Sequence, residues 1–131
     1  MSRRELREQI FKLLFRVEFN RMEDMPEQEQ LFFEDEHAAQ EEDAAYVSDK
    51  FRKISEKLSE IDSQLNERTQ GWDTTRMSKV DLTILRLGVY EICYDEDVPT
   101  GVAINEAVEL AKKFGQDASP GFVNGILAKF A

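Results

Sequence analysis

The run MSKVDLTILRLGVYEIC, Met77–Cys93, most constrains what this chain can fold into. Met77, Val80, Ile84, Leu85, Leu87, Val89, Ile92 and Cys93 are spread around a helical wheel and leave little polar face. A helix that is apolar over so much of its circumference has to be buried. The remaining segments must therefore supply elements that surround it, and their own periodicity is helical. Leu6, Ile10, Leu13, Leu14 and Val17 form one stripe at helical spacing, and Phe11, Phe15 and Phe19 form a second. Val47, Phe51, Ile54, Leu58, Ile61 and Leu65 repeat at spacings of three and four, which predicts one long helix from Asp43 to Arg68. After Met25-Pro26, the segment EQEQLFFEDEHAAQEED predicts a short helix with Leu31 and Phe32 or Phe33 inward. No alternating strand pattern, internal repeat or long low-complexity linker interrupts these segments. The expected fold is all-α, a compact bundle of six or seven helices.

Boundary signals agree with that reading. Ser2 and Glu5 form a capping box at the start of helix one. Thr74 or Thr75 is placed to cap the buried helix, and Thr100, after the break at Asp97-Val98-Pro99, to cap VAINEAVELAKKFG. Gly115 is expected to close that helix in a left-handed conformation. Ser119-Pro120 reads as N-cap and first position of a last helix with Phe122, Val123, Ile126, Leu127 and Phe130 on one side.

At 131 residues the chain is most simply one domain, 1–131, able to bury about two-thirds of the surface that its unfolded form exposes. Cys93 is the only cysteine, so an internal disulfide and a thiolate zinc cage are both excluded, which fits a reducing cytosol. No apolar segment follows the N-terminal arginines as in a signal peptide, and no apolar run reaches the ~18 residues of a membrane span. The expectation is a soluble, cytoplasmic protein.

The formal net charge of −10 hides an asymmetry. Residues 1–21 are net +3, residues 22–62 net −10, residues 63–94 neutral and residues 95–131 net −3. A polyanion can approach the first helix and is repelled by the middle of the chain. Arg3, Arg4 and Arg7 crowd the first turns, where the helix dipole makes cations unfavourable by about 0.3 kcal/mol or more. At 100° per residue they share an arc of about 100° that also contains Phe11. Two readings of this seam stand on composition: a solvated basic face with pairs such as Arg4–Glu8, or a single-stranded RNA contact with guanidinium groups on phosphates and a ring that stacks a base.

Other candidates read as structural. His37, the only histidine, has no cysteine or second histidine with which to share a metal. Cys93 is expected on the apolar side of a buried helix, as a small hydrophobe with a raised pKa. Glu34-Asp35-Glu36 and Glu41-Glu42-Asp43 lack the alternating ligands and turn glycine of a calcium loop and read as solvated faces. There is no phosphate-cradling glycine loop, no nucleophile elbow and no convergent acid–base pair. No enzyme activity and no cofactor is expected.

Longer motifs separate the two readings of the arginines. WDTTRMSKVDLTILRLGVYEI, DVPTGVAINEAVELAKKFG and SPGFVNGILAKF, with the Arg3, Arg4, Arg7, Glu8 and Leu14-Phe15 pattern of helix one, resemble the NusB family of bacterial transcription antitermination factors. The match covers helix one and residues 72–130, leaving the acidic segment near 22–45 without a counterpart. The resemblance implies two small packed three-helix bundles and a partnership with NusE, the small-subunit ribosomal protein. It further implies that the pair binds boxA RNA and joins an RNA polymerase complex that resists termination, notably on ribosomal RNA operons.

By the same resemblance, Arg3, Arg4 and Arg7 match the family's basic RNA-binding motif, and Lys112, Lys113, Phe122 and Asn124 fall in segments near the RNA path. Phe15 and Asp81 match positions of the surface for NusE. Tyr90, Glu91, Asn105 and Glu106 are motif residues read as mainly structural. One departure is Gly121, where the family commonly has lysine before FVNG; it shifts affinity towards helix one or NusE. Related domains precede RNA cytosine methyltransferases, for which 131 residues leave no room. The remaining alternative is a helical protein-binding adaptor that never touches RNA.

Overall fold

The computed structural model describes residues 1–35 and 41–131, and among these every regular element is helical. Seven α-helices follow one another: α1 (Arg3–Phe15), α2 (Met25–Asp35), α3 (Glu41–Glu56), α4 (Leu58–Arg68), α5 (Lys79–Cys93), α6 (Thr100–Phe114) and α7 (Ser119–Leu127). Short 3-10 turns cover Arg16–Glu18, Met22–Asp24, Thr74–Arg76 and Ala128–Phe130. The chain divides into two compact units, Met1–Ser55 and Glu56–Ala131. His37 and Glu36 lie outside the described residues.

In the first unit, α1 buries Ile10, Phe11, Leu13 and Leu14, α2 buries Met25 and Phe32, and α3 buries Val47, Phe51 and Ile54. The expected inward face of α2 is half right: Phe32 is buried, whereas Leu31 is exposed. Arg16, just past α1, ties that helix to α2. Its Nη1 donates to the Gln28 carbonyl and side-chain oxygens, both at 3.2 Å, and its guanidinium lies 5.3 Å from the Phe32 ring centre. Ser48 of α3 donates to Glu29 of α2 at 2.9 Å.

The second unit is built round α5. Every residue from Leu82 to Glu91 is buried, as the breadth of its apolar face requires, and α4, α6 and α7 pack against it. Arg86 is held in this interior by a two-pronged pair with Asp62 of α4, Nε to Oδ1 at 2.9 Å and Nη2 to Oδ2 at 2.8 Å. The fork matches both carboxylate oxygens and offsets the cost of taking the charge out of water.

Several boundaries differ from the sequence expectation. The long helix over 43–68 is two helices, because Lys57 leaves helical geometry at φ −108°, ψ 2°. Asp73 caps the 3-10 turn before α5, and Ser78, whose hydroxyl accepts from the Asp81 amide at 3.1 Å, caps α5 itself; neither Thr74 nor Thr75 does. Thr100 is the first residue of α6, preceded by Pro99, and gives no side-chain cap. Ser119 likewise lies inside α7, and its hydroxyl instead accepts from the Gln116 amide at 3.0 Å. Cys93 is exposed, because the last turn of α5 runs beyond its cover. Partial desolvation still raises its thiol pKa, against the lowering influence of Arg68.

Gly115 is not left-handed. At φ −93°, ψ −167° it is extended, and a side chain is excluded there by space. A Cβ would stand 2.6 Å from the Ser119 hydroxyl oxygen and 2.8 Å from the Ala111 carbonyl oxygen. Gly115→Ala should therefore cost about 1–3 kcal/mol, as overpacking does elsewhere. Urea unfolding should show a lower midpoint at an unchanged slope.

Candidate nucleic-acid and partner interface

The basic end of α1 is built by the expected capping box. The Glu5 amide donates to the Ser2 hydroxyl at 3.1 Å, and the Ser2 amide donates to Glu5 Oε1 at 3.1 Å. The Ser2 amide, and after it the Ser2 hydroxyl, hold the Glu5 carboxyl below its ordinary pKa, so the box is complete above the usual carboxylate range and weakens as pH falls through the depressed value. Arg3 and Arg4 are exposed on this fixed first turn, and Arg7 is half-buried. The Met1 ammonium meets Asp43 Oδ2 at 3.1 Å, which brings the acidic start of α3, Glu41-Glu42-Asp43, beside the arginine end.

Phe11 does not serve the arginine seam as a stacking ring. It is only 4% exposed, because the seam descends from solvent at Arg3 into the core one turn below Arg7. Its ring stacks on Phe15 at 6.1 Å, and Phe15 meets Phe19 edge-on at 5.1 Å. This i, i+4 ladder runs outward: Phe11 is buried, Phe15 half-buried and Phe19 exposed. The expected second buried flank of helix one therefore ends at Phe15.

In the second unit, α6 and α7 border an open groove of ≈ 470 Å³ lined by Gly101, Ile104, Asn105, Val108, Pro120, Gly121 and Asn124. Lys112 continues the same face of α6, since 101, 105, 108 and 112 repeat at spacings of four and three. Its ammonium pairs with Glu109 at 3.3 Å, and Lys113 lies 5.5 Å from the Phe114 ring centre. Asn124 thus joins Lys112 along one groove. Phe122 does not, because two residues on a helix are separated by roughly 160°. It turns to the opposite flank of α7, half-buried, and meets Trp72 edge-on at 5.5 Å and 70°.

The sequence reading did not single out Trp72 as a surface ring; the cue was an aromatic residue beside a turn glycine outside any apolar stripe. Asp81 is the third residue of α5, half-buried, with Oδ1 enclosed and without a hydrogen-bond partner in the structure. Phe15 belongs to the first unit and Asp81 to the second. Tyr90 and Glu91 are buried, Asn105 is exposed on the groove and Glu106 is half-buried. Among the described residues no three His, Cys, Asp or Glu side chains gather as a metal site, and no helix is long and apolar enough to cross a membrane.

The NusB family model matches residues 4–131. The chain is 50% identical over 131 residues to the transcription antitermination protein NusB of Agathobacter rectalis, with 100% of each chain covered. Among solved structures it is similar to T. maritima NusB, with a TM-score of 0.86, 39% identity and coverage of 100% of this chain and 91% of that one. It is also similar to a chain in the crystal structure of antitermination factors NusB and NusE in complex with dsRNA, with a TM-score of 0.85, 25% identity and coverage of 98% and 94%. With residues 4–131 matched by the family model and half its residues shared with the Agathobacter rectalis relative, the chain belongs to the NusB family.

Proposed function

We propose that this chain is a transcription antitermination factor that binds boxA RNA together with NusE and joins the RNA polymerase antitermination complex, notably on ribosomal RNA operons. The observation that carries this reading is the exposed arginine turn of α1, fixed by its capping box, in a family whose structures include a NusB–NusE–RNA complex. Arg3, Arg4 and Arg7 neutralise phosphates, and Lys112 and Lys113 add charge on α6, with Asn124 at the groove and Phe122 across α7. Phe15 and Asp81 contact NusE. The enclosed Asp81 oxygen without a donor supports that role, since a partner's N–H would satisfy it.

The acidic neighbourhood explains why a partner is needed. Residues 22–62 repel RNA, and the start of α3 lies beside the arginines themselves. A basic partner supplies phosphate contacts that this chain lacks. Titration of boxA RNA with the chain alone and with NusE tests the reading: affinity rises clearly with NusE. Equal affinity with and without NusE contradicts the division of labour, and no RNA binding in either arm returns the chain to the protein-adaptor alternative.

Counterion release gives a sharper prediction. Each phosphate neutralised on a single strand contributes about −0.7 to the slope of log K against log salt. Arg4→Ala with Arg7→Ala should flatten that slope by about 1.4. Helix content should persist because alanine is the better helix former, and NusE binding should survive. An unchanged slope would make these arginines ordinary surface charge.

Gly121 supplies the converse experiment. Nothing lies within 4 Å of the position a Cβ would take there, and the residue borders the groove. Gly121→Lys should steepen the salt slope by about 0.7, with tighter RNA binding, while stability changes by less than about 0.5 kcal/mol, because the gain from replacing glycine is opposed by a cation in the first turn of α7. Thermal unfolding and RNA titration at several salt concentrations measure the two effects separately.

A further inference from the structure

The turn that joins α4 to the 3-10 segment before α5 is tightly built and yet displays a large apolar ring. The Trp72 amide donates to the Thr69 carbonyl at 3.1 Å, and the buried Thr69 hydroxyl sits between the carbonyls of Leu65 and Trp72. Gly71 takes φ 81°, a left-handed value that side chains rarely adopt, and its carbonyl accepts from Arg76 Nη1 at 3.2 Å. The Thr74 amide on the far side donates to Asn66 at 2.8 Å. All these bonds fix the backbone on either side of Trp72, whose side chain remains 50% exposed.

Phe122 is the ring that touches it, edge-on. In an edge-to-face pair, ring surface is left over for a third flat group, and the fixed geometry lowers the entropy lost when one docks. The local charge selects which flat group that is. Residues 68–79 carry Arg68, Arg76 and Lys79 against the single acid Asp73, a basic stretch in a chain of net charge −10. An exposed aromatic ring in a stretch of net positive charge matches a nucleobase with its phosphate better than an aliphatic group.

We propose that Trp72, braced by Phe122, is a base-stacking platform for single-stranded RNA, so that the RNA contacts of this chain extend past the α6–α7 groove to the turn before α5. The inference rests on the RNA-binding reading above and adds to it a residue and a direction for the strand.

Trp72 is the only tryptophan of the chain, which makes the test direct. An end-labelled boxA RNA is titrated with NusE and this chain, reading anisotropy of the label for binding and indole emission for stacking, with the Trp72→Phe chain subtracting any partner tryptophan. Stacking quenches the Trp72 emission in step with the anisotropy. Trp72→Ala weakens binding roughly 5- to 100-fold, and Trp72→Phe restores most of it. The emission change does not depend on the Trp72→Ala chain, so it stands even where that variant folds poorly. Normal RNA binding with unaltered emission overturns the stacking platform and leaves the RNA reading intact. Emission that responds to NusE without RNA, and no further on adding it, makes the ring pair a protein contact and overturns the inference. Absence of RNA binding by anisotropy overturns both.

Discussion

The unbroken burial of α5 is the constraint on which the second unit depends. From Leu82 to Glu91 every residue of this helix is buried, so α4, α6 and α7 are obliged to cover it. Their apolar stripes answer that demand, and the polar groups inside it must find partners, because an unpaired buried charge costs several kcal/mol. Arg86 finds Asp62, and the Thr83 hydroxyl returns to the Lys79 carbonyl at 2.7 Å. With the centre committed to packing, the proposed recognition surfaces of this unit lie at its periphery: the outer faces of α6 and α7, and the turn at Gly71-Trp72.

In the first unit the same division holds along one helix. The later turns of α1 bury Ile10, Phe11, Leu13 and Leu14, while its first turn presents Arg3 and Arg4 to solvent on a capped and fixed backbone. Cations are placed against the helix dipole there, a small cost that packing does not explain. The proposed phosphate contact would account for it, and the acidic start of α3 beside them would limit how tightly a nucleic acid is held without help. On the function proposed above, dependence on a basic partner follows from this chain's own charge distribution.

Periodicity made the helices and their core legible, since burial follows the spacing of apolar residues. It could not show the break at Lys57, because Ile54, Leu58 and Ile61 keep their spacing of four and three across it and no proline or glycine marks the interruption. Capping positions slipped: a 3-10 turn capped by Asp73 intervenes before α5, so that Ser78 caps α5 in place of Thr74 or Thr75, and the cap positions of α6 and α7 fall on Pro99 and Ala118, one residue before the expected Thr100 and Ser119. Gly115 was readable as a required glycine, but the cause is the close approach of Ser119 rather than its own dihedral angle. The exposure of Arg3 and Arg4 on the first turn of α1 follows from their charge and the capping box that starts the helix. The depth of Phe11 and the pairing of Phe122 with Trp72 depend on which face of a helix its neighbours cover, and a single helical wheel does not carry that information.

Photochemical crosslinking of boxA RNA to the NusE-bound chain, mapped by mass spectrometry, addresses the central claim most directly. If the capped basic turn of α1 faces the RNA, crosslinked peptides include residues 3–7 and exclude the acidic stretch of α2 and α3. Crosslinks confined to that acidic stretch, or none on this chain while NusE is labelled, would contradict it.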